Sequence, residues 1–201
     1  VYYSTDYVFD GSGNRPWIET DDTHPLNVYG STKREGEVAI RGSGCNYLIF
    51  RTSWVFAARG GNFARTMLRL AQERDRLTVI DDQTGAPTGA DLLADVTAHA
   101  IRTAMRRKEV AGLYHLVAAG ETSWFGYARF VLDFARETGL KLKVDPEEIV
   151  PVSSSAFPSP AQRPRNSRLN AAKLQTTFDL RMPPWQTGIV RMLTEVLEKR
   201  A

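Results

Sequence analysis

Tyr29 and Lys33 stand four residues apart in Tyr29-Gly30-Ser31-Thr32-Lys33, downstream of Ser4-Thr5-Asp6-Tyr7. On a helix, side chains four apart share a face. A phenol has an ordinary pKa of about 10, too high for easy proton transfer near neutrality. An ammonium beside it favours the phenolate and lowers that value. Such a tyrosine can deliver a proton to a carbonyl oxygen as hydride reaches the carbon. A hydroxyl such as that of Thr5 can hydrogen-bond the same oxygen. Thr5, Tyr29 and Lys33 are therefore the candidate catalytic residues, for carbonyl reduction with a nicotinamide cofactor. A Tyr-x-x-x-Lys pair alone is common by chance on helix surfaces; its combination with the upstream segment 4–9 gives it weight.

The elements that must hold these residues follow from pattern. Val1-Tyr2-Tyr3-Ser4 reads as a buried strand end. Glycine, asparagine and proline make 10–16 a turn, including Gly11-Ser12-Gly13, and 19–25 is a polar loop. A helix over 27–40 carries Tyr29 and Lys33. The apolar stretch in 46–56 is a strand. Asn62 is placed to cap a helix over 62–73, with Phe63, Met67 and Leu70 on its apolar face. A strand at 77–80, a loop at 81–88, a helix at 90–106 and a strand at 113–117 follow. Ser123 caps the next helix, whose apolar face is Phe130, Val131 and Phe134. From 150 onward Pro151, Pro158, Pro160 and Pro164 gather with Ser153, Ser154 and Ser155. That composition suits a linker, but Arg163, Asn166 and Arg168 also suit a ligand-binding segment. A helix over 185–199 closes the chain.

Strands alternating with helices imply an α/β fold. The expectation is a Rossmann-like parallel sheet, incomplete at its N-terminal βαβ units, with a smaller C-terminal substrate-binding lobe. Residues 1–120 would form the rest of the dinucleotide-binding domain, interleaved with lobe segments. Residues 121–201 would form mainly the lobe and the closing helix.

Composition narrows the function classes. The chain has 201 residues, 42% apolar and 24% charged, with a net charge of +3, as in a soluble globular protein. It has no dense basic run interleaved with aromatics, so nucleic acid is not an expected partner. The lone Cys45 rules out a disulfide framework. His24, His99 and His115 are too widely spaced for a zinc site, and His115 reads as a packed strand residue. No apolar run approaches the roughly 20 residues needed to span a bilayer.

Several segments together resemble the extended short-chain dehydrogenase/reductases, and among them the dTDP-4-dehydrorhamnose reductases. They are Ser-Thr-Asp-Tyr-Val-Phe-Asp-Gly at 4–11, Tyr-Gly-x-x-Lys at 29–33, Arg-Thr-Ser-Trp-Val-Phe at 51–56 and Gly-Asn-Phe at 61–63. Asp-Gln-x-Gly-x-Pro-Thr at 82–88, Gly-x-Tyr-His-Leu at 112–116 and Arg-Pro-x-Asn-Ser at 163–167 continue the order. The resemblance implies that Tyr29 is the general acid and that Lys33 lowers its pKa and binds the nicotinamide ribose. Thr5 would hydrogen-bond the sugar carbonyl. Asp6 and Tyr7 would contact the sugar, and Trp54 would pack on its ring, unless it is an ordinary core aromatic. Asn62, Gln83, Arg163 and Asn166 would face the nucleotide side. Arg163 also suits a diphosphate on physical grounds, against the plainer reading of a solvated loop arginine.

The implied reaction is reduction of the 4-keto group of a dTDP-activated 6-deoxysugar to dTDP-L-rhamnose, for cell-surface polysaccharide. NADPH is implied over NADH by the resemblance alone. A cytoplasmic homodimer assisted by Mg2+ also falls within the resemblance, although no ligand cluster in the sequence supplies a metal site. Two other readings stay open: a related reductase or epimerase acting on another nucleotide sugar, and a non-catalytic regulatory subunit. The chain opens on Val1 in a β-type run, which reads as an internal start, and no Gly-rich dinucleotide turn precedes Thr5. The isolated chain is therefore expected neither to bind NADPH tightly nor to turn over.

Overall fold

A computed structural model describes residues 1–157 and 161–198. Pro158 and Pro160, named above, and position 199 of the expected closing helix lie outside the described residues. In chain order the elements are β1 (Tyr2–Thr5), α1 (Val28–Gly42), β2 (Leu48–Thr52), β3 (Val55–Phe56), α2 (Phe63–Glu73), β4 (Leu77–Ile80), β5 (Thr84–Gly85) and β6 (Thr88–Gly89). There follow α3 (Ala90–Arg106), β7 (Gly112–His115), β8 (Thr122–Ser123), α4 (Trp124–Glu137), β9 (Ile149–Val152), α5 (Ala172–Phe178) and α6 (Trp185–Glu198). A 3-10 turn, Asp6–Val8, follows β1 directly.

β1, β2 and β7 form a parallel sheet in that order. Alternation along each strand sends side chains to opposite faces. On β1, the Tyr2 hydroxyl reaches the Lys33 carbonyl on α1, whereas the Tyr3 hydroxyl lies 2.6 Å from Thr97 Oγ1 on α3. On β2, Leu48 and Phe50 join a core with Leu93, Val96 and Ala100 of α3 and Leu174 and Phe178 of α5. Arg51 instead meets Glu37 of α1. Thus α3 and α5 cover one face of the sheet and α1 the other, the α/β arrangement expected from the sequence.

A second core is built by α2, β4, α4, β9 and α6 and includes Leu68, Val79, Leu132, Ile149 and Leu193. Asn62 and Ser123 cap α2 and α4 as expected, accepting hydrogen bonds from the Arg65 and Gly126 amides.

Three departures have physical causes. The strand over 46–56 is broken at Trp54, whose φ of 48° turns the chain between β2 and β3. β9 emerges inside the proline-rich stretch, pairing parallel with β4 so that Pro151 stands opposite Val79. A two-stranded pair consists only of edges, where proline's missing donor is tolerated. α5 has seven residues, too few for a periodic apolar signal.

His115 at the end of β7 is fully buried, as its strand setting suggested. Its Nδ1 lies 3.1 Å from the Trp17 carbonyl and so carries the proton. Burial, reinforced by the Arg51 charge, lowers its pKa from 6.5 to about 3. The unfolded chain therefore takes up a proton below about 6.5 that the folded chain refuses until about 3, and stability falls as pH falls through that window. Wild type should lose about 2–3 kcal/mol more than His115→Gln between about pH 7 and about pH 4.5, read from urea unfolding. Parallel pH profiles would exclude His115 as the source.

Candidate active site

Register aligns Thr5, at the C-terminal end of β1, with Thr52 at the end of β2. The carboxyl ends of parallel strands are where open α/β sheets bind ligands. The Thr5 hydroxyl caps the 3-10 turn by accepting from the Tyr7 amide at 3.2 Å, and it donates to Asp6 Oδ1 at 3.1 Å.

α1 is brought against this turn by its sequence. Asn27 Oδ1 accepts from the Gly30 amide at 2.9 Å and starts the helix. Gly30 lies against the Tyr7 carbonyl so closely that a Cβ there would overlap its oxygen. The absence of a side chain lets α1 approach, and the Tyr29 ring meets the Tyr7 ring edge-on with centroids 5.7 Å apart. Tyr29 is 52% exposed, open to a reactant. Lys33 Nζ donates to the Tyr3 carbonyl at 3.0 Å and lies 4.9 Å from the Tyr2 ring centroid. An ammonium has three donors, and among the described residues Lys33 uses one of them, on Tyr3. Tyr29 is exposed and Lys33 half-buried on the same helix.

One turn beyond Lys33, Glu37 anchors the helix. Arg51 of β2 meets it through two hydrogen bonds, Nε to Oε1 at 2.9 Å and Nη2 to Oε2 at 2.6 Å, with both side chains only 3% exposed. Arg51 is the register partner of Ser4, beside Thr5. The pair fixes α1 against the sheet and thereby sets the offset of Tyr29 and Lys33 from Thr5.

Beside this corner lies a cavity of about 650 Å³ lined by Asp10, Gly11, Ser12, Gln83, Arg163 and Arg165, among others. Gly11, at φ 73°, packs on Pro164 where no Cβ would fit, so the 10–16 turn forms a wall of the cavity. Arg163 is exposed, and its charge lowers the pKa of Tyr7 against the larger upward effect of burial. Arg165 and Ser154 are cavity residues that sequence reasoning missed; Arg165 had a signal in its place beside Arg163 and Pro164. Asp82 organises this side by accepting from the Ser153 and Ser154 hydroxyls, both at 2.9 Å, and from the Ser154 amide at 2.8 Å.

The other sequence candidates fall in different settings. Trp54 stacks on Trp124, centroids 3.8 Å apart and planes 15° from parallel, above Gly85. Trp124, which the sequence offered only as a helix start, donates its indole N–H to Gln83 Oε1 at 3.1 Å. Asn62 spends both amide atoms on the scaffold, accepting from the Arg65 amide and donating to the Ala57 carbonyl. Asn166 does likewise. Its Nδ2 donates to the Ser12 and Arg15 carbonyls, and its Oδ1 accepts from Arg168. It stitches the returning segment to the 10–16 turn and has no donor or acceptor left to face a nucleotide. Asp6, expected against the sugar, is 2% exposed and turned inward onto Thr5. Among the described residues, no cluster of three or more His, Cys, Asp or Glu is placed to hold a metal ion, so the Mg2+ within the resemblance finds no fitting donors. Likewise no helix is long and apolar enough to cross a membrane.

A parallel sheet with helices on both faces, and hydroxyl, phenol and ammonium groups gathered at its carboxyl edge, defines the Rossmann-like α/β class. The chain belongs to the family described as the RmlD substrate binding domain, whose model matches residues 1–198. It is 60% identical over 196 residues to the dTDP-4-dehydrorhamnose reductase of Salmonella typhimurium, covering 98% of this chain and 65% of that protein. With the Escherichia coli K12 protein of the same name it shares 57% over 201 residues, covering 100% and 67%. The chain thus spans about two thirds of the length of these relatives. Among solved structures it is similar to the Bacillus anthracis dTDP-4-dehydrorhamnose reductase in complex with NADP. That likeness has a TM-score of 0.81 and 34% identity, over 96% of this chain and 64% of that one. The Clostridium acetobutylicum reductase gives a TM-score of 0.82 at 34% identity, over 98% and 65%. A Bacillus anthracis dTDP-glucose 4,6-dehydratase in complex with NAD shares the fold, with a TM-score of 0.74 at 16% identity over 98% and 60%.

Proposed function

We propose that the protein carrying this chain reduces the 4-keto group of dTDP-4-dehydro-6-deoxy-L-mannose, giving dTDP-L-rhamnose for cell-surface polysaccharide. The observation that carries this reading is the placement of half-exposed Tyr29 and of Lys33 on one helix, packed against the turn that Thr5 caps. NADPH, when bound, supplies the hydride. Tyr29 gives its proton to the oxygen on which charge develops, and Thr5 holds that oxygen by a hydrogen bond. Lys33, seated on the Tyr3 carbonyl one helical turn from Tyr29, offers its remaining donors to the nicotinamide ribose. Arg163 and Arg165 offer planar donors to the diphosphate in the cavity. Tyr7 and Trp54 would meet the sugar, and Gln83, which lines the cavity, the nucleotide side. A cytoplasmic homodimer belongs to the same reading and rests on the likeness to the reductases.

The test is an assay of the complete protein against a panel of nucleotide-activated 4-keto sugars with NADPH and with NADH. Oxidation of NADPH with the dTDP-linked 4-keto-6-deoxy sugar, well above that with other nucleotides, is the expected outcome. Preference for another nucleotide sugar would point to the related reductase or epimerase. No reduction of any of them would favour a regulatory subunit.

A further inference from the structure

Asp6 poses a problem that the proposed reaction does not solve. The Thr5 hydroxyl has one hydrogen and two acceptor sites. One acceptor site takes the Tyr7 amide, and the hydrogen points to Asp6 Oδ1 at 3.1 Å. With Asp6 ionised, Thr5 has no hydrogen left for a substrate carbonyl. The carboxyl is sealed from solvent, at 2% exposure, and its Oδ2 has no hydrogen-bond partner of normal geometry. In this structure Asp6 meets the corner through Thr5 rather than through open space.

We propose that Asp6 is a positioning residue that works in its neutral form, donating its own O–H to Thr5 Oγ1 so that the Thr5 hydrogen is freed for the carbonyl oxygen. Thr5 then accepts from both the Tyr7 amide and Asp6, which fixes its single hydrogen outward. No net proton is consumed: the proton added to the product comes from Tyr29, and Asp6 keeps its own. This inference rests on the reductase reading.

The surroundings favour the neutral acid. Burial raises the Asp6 pKa from 3.8 to about 7, against smaller downward effects of hydrogen bonding by Ser167, Thr5 and its own backbone. The ionisable groups around the turn are the phenols of Tyr7 and Tyr29, the Lys33 ammonium on α1 and the Arg163 guanidinium on the returning segment. The Tyr7 phenol is pushed up by burial and by the Asp6 charge, so it stays protonated while Asp6 titrates.

The experiment measures the pH dependence of kcat in the complete protein for wild type, Asp6→Asn and Asp6→Ala. An amide donates to Thr5 at every pH, as the neutral acid does. Wild type should lose about three- to fivefold in kcat between about pH 7 and about pH 8, as Asp6 ionises. Asp6→Asn should lack that limb, and Asp6→Ala, which leaves only the Tyr7 amide to orient the Thr5 hydroxyl, should be slower by about tenfold or more. Recovery by the amide relative to alanine, chiefly in kcat rather than KM, is the signature. An infrared band of a protonated carboxyl should appear in wild type at about pH 6, fade above about pH 7 and be missing in Asp6→Asn. An unchanged alkaline limb in Asp6→Asn, or an amide variant as slow as the alanine one, overturns the inference. If wild type reduces no nucleotide sugar, the reductase reading falls and this inference with it. An active wild type whose limb survives in Asp6→Asn overturns this inference alone.

Discussion

Tyr29→Phe in the complete protein is expected to lower kcat for sugar-ketone reduction by about 10²–10⁴-fold, the usual contribution of a positioned general acid. The ring stays, so its edge-on contact with Tyr7 and the course of α1 survive. The proton source is what goes. Because Tyr29 is 52% exposed, the change leaves no buried group unpaired and should barely alter stability. KM should move far less than kcat, since a proton given up during the reaction stabilises the transition state rather than the bound sugar. The comparison is steady-state kinetics beside thermal unfolding of both proteins. A variant that keeps within a few-fold of wild-type kcat would remove Tyr29 from the mechanism.

Glu37→Ala is expected to be the most destabilising single change near the site, at about 3–5 kcal/mol. It strands the Arg51 guanidinium in a setting where only 3% of the side chain meets solvent. Arg51 would keep the Phe9 ring, 5.0 Å from its guanidinium carbon, but lose both carboxylate contacts. Removing both charges together, as Glu37→Leu with Arg51→Met, should recover most of that loss, because neither ion is then left buried alone. Urea unfolding of the two variants decides the matter. A Glu37→Ala cost near that of an exposed ion pair, below about 1 kcal/mol, would contradict the burial seen here. Even the recovered double variant should show reduced kcat, since apolar contacts do not reproduce the two-point geometry that holds α1 against the strand ends.

The parts of this fold legible in the sequence were those that local chemistry decides. Tyr29, Lys33 and the helix beneath them follow from spacing, and Asn62 and Ser123 act as caps because one side chain near one amide suffices. Leu48 and Phe50 announce a central strand without needing any partner named. What escaped notice depends on distant partners. Nothing near Trp54 signals a left-handed backbone; its indole packs on Gly85 and Trp124, 31 and 70 residues further on. Asn166 looked like a ligand contact because its partners, the Ser12 and Arg15 carbonyls, lie 154 and 151 residues away. Asp6 sits in a recognisable motif, yet its seclusion from solvent could be seen only once Thr5 and Ser167 were placed around it. Pro151 disguised a strand whose partner, β4, lies far upstream.

The stacked indoles of Trp54 and Trp124 have an optical consequence. Two such chromophores with centroids 3.8 Å apart are close enough to couple, and the circular-dichroism signal of the pair depends on the angle between their in-plane transitions. Any occupant that slides against Trp54 or tilts it would reshape that signal. The protein thus contains its own dye, mounted on the wall proposed to meet the sugar, so that binding could be followed by light alone, without labels and without turnover.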